Sequence, residues 1–561
     1  YFELHQRAGR CLVCSLTYGL PQVFERHPII NLKGLVSDIA SRAGWELDDV
    51  WWRIGTTESL SSALHRIPLA WLISDTGMGV YQLIFPTYNM LLAISSAGLP
   101  VAISRMVSYS LARDDPRNAK RTFRIALCFL SALGLIAMLL MILFSPQLAV
   151  RSKNPATQSG FVTIAPALLL VCSMSALRGF MQGQQNMVPT AISQFIEQVA
   201  KVLIALPLAY WGSKVSISYA VAGVLLGTSI AEALALLYMI CVYLRNRREF
   251  RELPQNEKLP VSSVKSTLWR LVAFSIPVTI GACIVPISGF IDSGLLLGRL
   301  IQAGIEADEA TALYGRYSGY VLTLINVPSA VAAAISMSLV PTISAAIARG
   351  DGNYMRRQSA LGLRLAFVVG MPCTVAMAVL SQRLLSLMFH FTSEANLVKT
   401  GHMLSLSAVT IVLFTVVQAT SGILQGLKKQ WVPMVTLLAG VCVKIFLNYT
   451  LIAIPQINIY GASLASITCY TISMLPNLYF VHKYTGLKAE PVSIFLKPTL
   501  ASALMGALVM LLSRWLPSGR LWTILIVLVG IAAYAGFALL TGAVQKSDLA
   551  PLLRRGKKGA E

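Results

Sequence analysis

Thirteen apolar runs, most of them 21 residues or longer, dominate the sequence. They lie near 80–108, 122–148, 160–181, 188–211, 217–244, 271–298, 315–347, 359–389, 401–425, 431–454, 459–482, 494–515 and 521–543. A helix needs about 20 apolar residues to cross a ~30 Å hydrocarbon core. Within that core every backbone polar group must be paired internally, so only helices or closed barrels cross it. The ten-residue alternation of a barrel strand is absent. The chain is therefore expected to be an all-α polytopic membrane protein. Its composition agrees: 12% charged residues and a mean hydropathy of +0.66, against about 25% charged in soluble domains.

The formal net charge is +22, a value that in a soluble chain would suggest nucleic acid. Here the cations gather in short segments between apolar runs, as the positive-inside rule requires, and no nucleic-acid partner is expected. Most of the nine cysteines, among them Cys128, Cys172, Cys283, Cys373 and Cys442, lie within apolar runs. They read as small buried hydrophobes. The Cys11-Leu-Val-Cys14 pair has metal or redox spacing but no second half.

Basic clusters occur in alternate loops: Arg113, Arg117, Lys120 and Arg121; Arg245, Arg247, Arg248 and Arg251; Arg349, Arg356 and Arg357; Lys428 and Lys429; Lys483 and Lys488. A basic tail follows, from Lys546 to Lys558. The intervening loops are poorer in cations, apart from Arg151, Lys153, Arg514 and Arg520. This predicts an even number of helices with both termini cytoplasmic, fourteen if the apolar stub at 60–74 belongs to a first helix. Residues 1–59 lack a span-length apolar run and are expected to be atypical, non-native or disordered.

An internal repeat sets the domain organisation. Gly179-Phe-Met-Gln-Gly183 matches Gly422-Ile-Leu-Gln-Gly426, and Val-Pro follows each within six residues. Lys201 and Lys444 stand at equal distances beyond the two motifs. Duplication predicts two pseudo-symmetric six-helix lobes around a central cavity. The N-lobe covers 60–244, with its first helix incomplete, and a cytoplasmic linker covers 245–268. The C-lobe covers 269–488, two further helices 489–545 and the basic tail 546–561. Each Gln-Gly element reads as a tight helix hairpin.

Residues 65–113 and 314–349 contain the strings Arg-Ile-Pro-Leu-Ala, Gly-x-Gly-x-Tyr-Gln, Gly-Leu-Pro-Val-Ala-Ile-Ser and Ser-Leu-Val-Pro-x-Ile-Ser. Together they resemble the SpoVB/YtgP branch of the MurJ-type lipid II flippases, within the multidrug/oligosaccharidyl-lipid/polysaccharide exporter superfamily. The resemblance covers about 60–545. It implies fourteen helices, two lobes around a cavity, and translocation of lipid II across the cytoplasmic membrane for cell-wall or spore-cortex synthesis. The implied partners are a lipid-linked oligosaccharide, membrane lipids and cell-wall assembly proteins. Relatives place essential arginines on the first two helices, and Arg66 and Arg105 come nearest to that pattern. The family's first helix is fully apolar before its Arg-Ile-Pro segment, whereas here the preceding half is not.

A charge at the bilayer centre costs ~2.5–3.5 kcal/mol on insertion scales, so each such residue needs a cavity, a partner or a route to the surface. An anionic diphosphate needs cations in a wet cavity, where arginine binds phosphate oxygens bidentately. Arg66, Arg105, Lys444 and Arg316 are the candidates for substrate binding. Lys444 has only Asn448 as a polar neighbour on its own helix. Asp292 and Arg299 lie seven apart on one face of the seventh helix, downstream of Pro277 and Pro286, and are expected to pair with Arg316 as a gate near the outer mouth. Glu197 and Lys201 form an i, i+4 structural pair. Glu232 reads either as a proton or sodium carrier or as a partner for Lys201.

No phosphate-binding loop, zinc-protease motif or nucleophile elbow is found, so no enzymatic activity and no cofactor is expected. Coupling to membrane potential, a proton or sodium is expected instead. The alternatives are flipping of another lipid-linked polysaccharide precursor, cation-coupled multidrug export on the same fold, or a non-transporting scaffold role.

Overall fold

A computed structural model describes residues 47–543, except 112, 185, 252–261, 392, 488–491 and 518. The Cys11–Cys14 pair, most of the linker, Lys488 and the basic tail lie outside the described residues. Among the described residues there are thirteen stretches long and apolar enough to cross a membrane. They correspond one to one with the thirteen apolar runs.

Helix α1 (Leu47–Ser96) contains a break at Ser74, whose φ is 62° and ψ 173°. The chain folds back there. Arg66 and Phe85 are 19 positions apart, which would separate them by about 28 Å in a straight helix, yet the guanidinium lies 5.9 Å from the Phe85 ring centre. The arm before Ser74 begins at Leu47, long enough at 1.5 Å per residue to cross a bilayer. It supplies the backbone of a first helix ahead of the thirteen apolar runs.

The N-lobe continues with α2 (Leu99–Leu111), α3 (Pro116–Leu143), α4 (Thr157–Gly183), α5 (Val188–Ala200) and α6 (Ile217–Arg251). A π-helical turn, Lys201–Ala205, extends α5. The C-lobe opens with α7 (Val264–Gln302), then α8 (Ala307–Gly315), a second π turn at Arg316–Val321, and α9 (Leu322–Ala348). Next come α10 (Gly352–Val379), α11 (Glu394–Ser407), α12 (Val409–Gly426), α13 (Trp431–Leu451) and α14 (Tyr460–Thr485). Two last helices follow, α15 (Lys497–Trp515) and α16 (Arg520–Leu540).

The duplication is visible in three dimensions. Ser108 Oγ on α2 donates to the carbonyl of Gly183, which ends α4, at 2.7 Å. Ser344 Oγ on α9 donates to the carbonyl of Gly426, which ends α12, at 3.1 Å. Both Gln-Gly elements close tight helix hairpins, each satisfying a terminal carbonyl from the neighbouring helix.

Basic loops meet at one end of the bundle. Asn118 Oδ1 accepts from the Ser262 amide at 2.9 Å, and Arg356 Nε donates to the Thr485 carbonyl at 3.0 Å. Two of the cationic exceptions at the opposite end have tertiary roles. The Arg151 guanidinium donates to the Phe290 carbonyl at 2.7 Å, and Arg520 lies over the Trp71 ring.

Buried apolar side chains divide unequally between the ends. At the end opposite the basic loops one core runs through both lobes, from Leu69, Ile84 and Phe161 to Tyr320, Leu385 and Ile411. At the basic end the cores are separate: Ile103, Phe123 and Phe180 in the N-lobe, Leu339, Leu363 and Ile423 in the C-lobe. The apolar core is thus shared by both lobes at one end and divided at the other, where α7 still packs on the N-lobe: Leu271 joins the N-lobe core, and a Cβ at Gly98 would lie 2.4 Å from the Ser275 carbonyl oxygen. The seal at the shared end depends on close backbone approach. A Cβ at Gly79 would lie 2.1 Å from the Thr311 carbonyl oxygen, and one at Gly315 would lie 2.5 Å from the Gly79 nitrogen.

Gly79→Val is expected to force α1 from α8 and favour the arrangement parted at this end. A water-soluble maleimide should then label Ala310→Cys, which is buried in the sealed protein, faster with Gly79→Val than without it. Equal labelling would mean that this contact does not set the seal.

Candidate interlobe binding site

Arg66 lies on the first arm of α1, half-buried, and its Nη1 donates across the lobes to Thr323 Oγ1 of α9 at 3.2 Å. Among the described residues it has no carboxylate partner, so its charge is left for the seam. Arg105 is exposed on α2, with its guanidinium 4.5 Å from the centre of the Phe274 ring on α7. The two arginines do not form one site. Counted from the turn at Ser74, Arg105 lies roughly 35 Å farther along the helical path, near the basic end. Arg66 faces the seam, and Arg105 sits towards its mouth.

Arg316 opens the second π turn and is 1% exposed. Its Nη2 donates to Glu309 Oε1 at 2.6 Å, and its Nη1 lies 3.7 Å from Asp75 Oδ2. Tyr320 Oη, one turn further on, donates to Asp75 Oδ1 at 2.6 Å. The expected pairing of Arg316 with Asp292 and Arg299 is therefore corrected. The extra residue of the π turn helps to aim Arg316 and Tyr320 at the N-lobe, and Asp75 takes the place assigned to Asp292. Arg299 turns instead to Gln302 Oε1 at 2.6 Å and over the Tyr449 ring. Asp75 was missed because the Ser-Asp-Thr-Gly-Met-Gly segment reads as a surface loop. Its adjacent glycines were the available sign that backbone packs closely there.

Asp292 faces α13. Lys444 Nζ donates to its Oδ2 at 2.5 Å and Asn448 Nδ2 to its Oδ1 at 2.8 Å. Lys444 is therefore not the unpartnered cation that its own helix suggests, because the carboxylate comes from α7. The pair lines a C-lobe cavity of about 230 Å³, with Ser288, Asn326, Ser329 and Ser466 as further polar lining and Pro86 contributed by the N-lobe.

The matching lysine of the N-lobe is held differently. Lys201 Nζ bonds Glu197 at 2.6 Å and Glu232 at 3.0 Å, while Arg178 Nη2 bonds Glu197 at 3.2 Å. The i, i+4 pair is present, and Glu232 answers Lys201 from α6. Arg178 went unselected, although an arginine directly before the repeated Gly-Phe-Met-Gln-Gly was a usable signal. Among the described residues no His, Cys, Asp and Glu cluster suited to a metal is found.

The family model described as "Polysaccharide biosynthesis protein" matches residues 54–347, more than half of the chain. The chain belongs to the polysaccharide biosynthesis protein family. It is a multi-pass membrane protein of the multidrug/oligosaccharidyl-lipid/polysaccharide exporter superfamily, and the MatE model matches 318–450. It is similar to the Stage V sporulation protein B of Bacillus subtilis (strain 168), 28% identical over 79% of this chain and 83% of that protein. It is also similar to the lipid II flippase MurJ of the same organism, 26% identical over 75% and 79%. A solved structure of "Lipid II flippase MurJ, inward closed conformation" shares the fold with a TM-score of 0.67 at 14% identity, covering 87% of this chain and 98% of that one. An inward-facing multidrug resistance MATE transporter gives 0.61 at 13% identity, covering 77% and 96%. In this member of the polysaccharide biosynthesis family, Arg66, Arg105, Lys201, Glu232, Asp292 and Arg316 fall within the matched region, and Lys444 lies in the MatE match.

Asp292→Asn leaves the half-buried Lys444 without a countercharge, so the loss of a fully buried pair is an upper bound. Losing one partner of a buried pair costs about 3–5 kcal/mol, so detergent-solubilised Asp292→Asn should melt well below the parent. Asp292→Asn with Lys444→Met should recover most of that loss. A double variant as unstable as the single would show that the two groups are not energetically linked.

Proposed function

We propose that this chain is a flippase moving an undecaprenyl-diphosphate-linked precursor, specifically the peptidoglycan precursor lipid II, across the cytoplasmic membrane by alternating access. The observation that carries this reading is the placement of Arg66: a guanidinium at the lobe seam, hydrogen-bonded only to a neutral hydroxyl among the described residues. Carrying a diphosphate through hydrocarbon requires such an uncompensated cation, because only charge-assisted hydrogen bonds offset the loss of water around phosphate. Arg105 at the divided end would meet the headgroup first and Arg66 would hold it deeper.

Family membership and the named function of the MurJ relative support a lipid-linked substrate. The sporulation proteins among the relatives support a role in cell-wall or spore-cortex synthesis. On the positive-inside rule the basic end is cytoplasmic, with both termini on that side, and the core shared by both lobes lies at the outer end. Flipping requires the seal at Gly79, Gly315, Asp75 and Arg316 to part while the basic end closes. A net charge moved in this cycle gains ~2.3 kcal/mol per 100 mV, so the membrane potential is a sufficient drive.

Arg66→Ala removes one charge-assisted contact worth about 1.5–3 kcal/mol. Proteoliposomes loaded with lipid II, probed for exposure on the far leaflet, should then show a rate lowered by roughly one to two orders of magnitude. Arg66→Lys should recover part of it, a point charge replacing a bidentate fork. A rate unchanged by Arg66→Ala would remove the assignment, and flipping of another undecaprenyl diphosphate sugar but not lipid II would redirect the substrate.

A further inference from the structure

Glu232 on α6 is 2% exposed. One of its oxygens accepts from Lys201 Nζ at 3.0 Å, while Oε2 is buried with no hydrogen-bond partner among the described residues. Glu197 is served better, by Lys201 at 2.6 Å and by Arg178 at 3.2 Å. Two carboxylates thus converge on one ammonium, and the second cation reaches only Glu197. Glu232 holds the lesser share of a lysine and has one buried oxygen with no protein hydrogen-bond partner among the described residues. A buried carboxylate in that position is the group whose charge a proton most readily removes.

The other titratable groups around it are Arg178 and Cys172 on α4, Glu197 on α5, Lys201 on the π turn, and Tyr81 and Tyr88 on the second arm of α1. Tyr88 is within electrostatic reach of both carboxylates, and Tyr81 of both Arg66 and Lys201. The charge cluster therefore adjoins the cation at the seam. As drawn, Arg178 and Lys201 balance Glu197 and Glu232. One proton taken from water onto Oε2 neutralises Glu232, breaks no covalent bond, and leaves the cluster with one positive charge in excess beside Arg66. The π turn that begins at Lys201 interrupts the regular helical ladder, a feature that recurs where helices change register at functional positions.

We propose that Glu232 is a proton-binding carboxyl of the N-lobe, and that its neutralisation leaves the cluster around Lys201 with an excess positive charge that joins Arg66 in holding an anionic diphosphate. The second clause rests on the lipid-diphosphate reading; the first does not.

The test uses the full chain in lipid nanodiscs and two readouts. Infrared spectra across a pH titration should show a buried protonated-carboxyl stretch that grows on acidification and is missing from Glu232→Gln. Lys201→Met, which takes away the cation that Glu232 holds, should keep that band to more alkaline pH. Binding of undecaprenyl diphosphate should strengthen several-fold on acidification in the parent. It should stay at the acid value in Glu232→Gln and lose its pH response in Lys201→Met. A band unchanged by Glu232→Gln overturns the proton site. Binding that keeps the parent's pH response in Glu232→Gln overturns the link to Lys201. A band that Glu232→Gln removes, in a parent that binds no diphosphate at any pH, leaves the proton site standing and sinks the substrate reading.

Discussion

A charge placed in hydrocarbon has to be answered from within the protein, and in this chain partners across helices add to those along them. Lys444 is answered from α7, Lys201 from α6, and Arg316 from the turn inside α1. Each pairing fixes one helix against another, and those of Lys444 and Arg316 join helices distant in sequence. Arg66 is the departure: it reaches into the other lobe and, among the described residues, meets a hydroxyl and the Phe85 ring but no carboxylate.

The seal at the end opposite the basic loops combines three weak devices. An apolar core shared by both lobes supplies burial, the Gly79–Gly315 approach lets backbones touch, and Asp75 with Arg316 and Tyr320 adds direction. Arg316 is incompletely satisfied, since its Nε and Nη1 are buried with no hydrogen-bond partner among the described residues. A closure of this kind holds without being permanent. Its polar members keep hydrogen-bonding capacity that water can meet once the lobes part.

The two lobes repeat one design with different electrostatics. The serine-to-glycine-carbonyl contacts and the hairpins they brace recur in both, and each lobe has a lysine at the matching position. The N-lobe lysine lies between two glutamates, one of them also held by an arginine. The C-lobe lysine lies on a single aspartate with an asparagine behind it, beside a polar cavity. Duplication preserved the packing geometry, and substitution then gave each half its own charge balance.

The order of helices, their apolar spans and the twofold repeat were legible in the sequence because they depend on local periodicity and composition. The i, i+4 pair of Glu197 and Lys201 was legible for the same reason. The partners of Lys444 and Arg316 were not, because they come from other helices, 241 positions away in the case of Asp75 and Arg316. The π turn at Arg316 also rotates its side chains off the face that a regular helix would give them. Residue types thus determined that the chain crosses the membrane many times and carries charge inside it. Only the packing of the two lobes decided which of these charges are paired, because ion pairing depends on distances of a few ångströms that spacing along the chain does not specify.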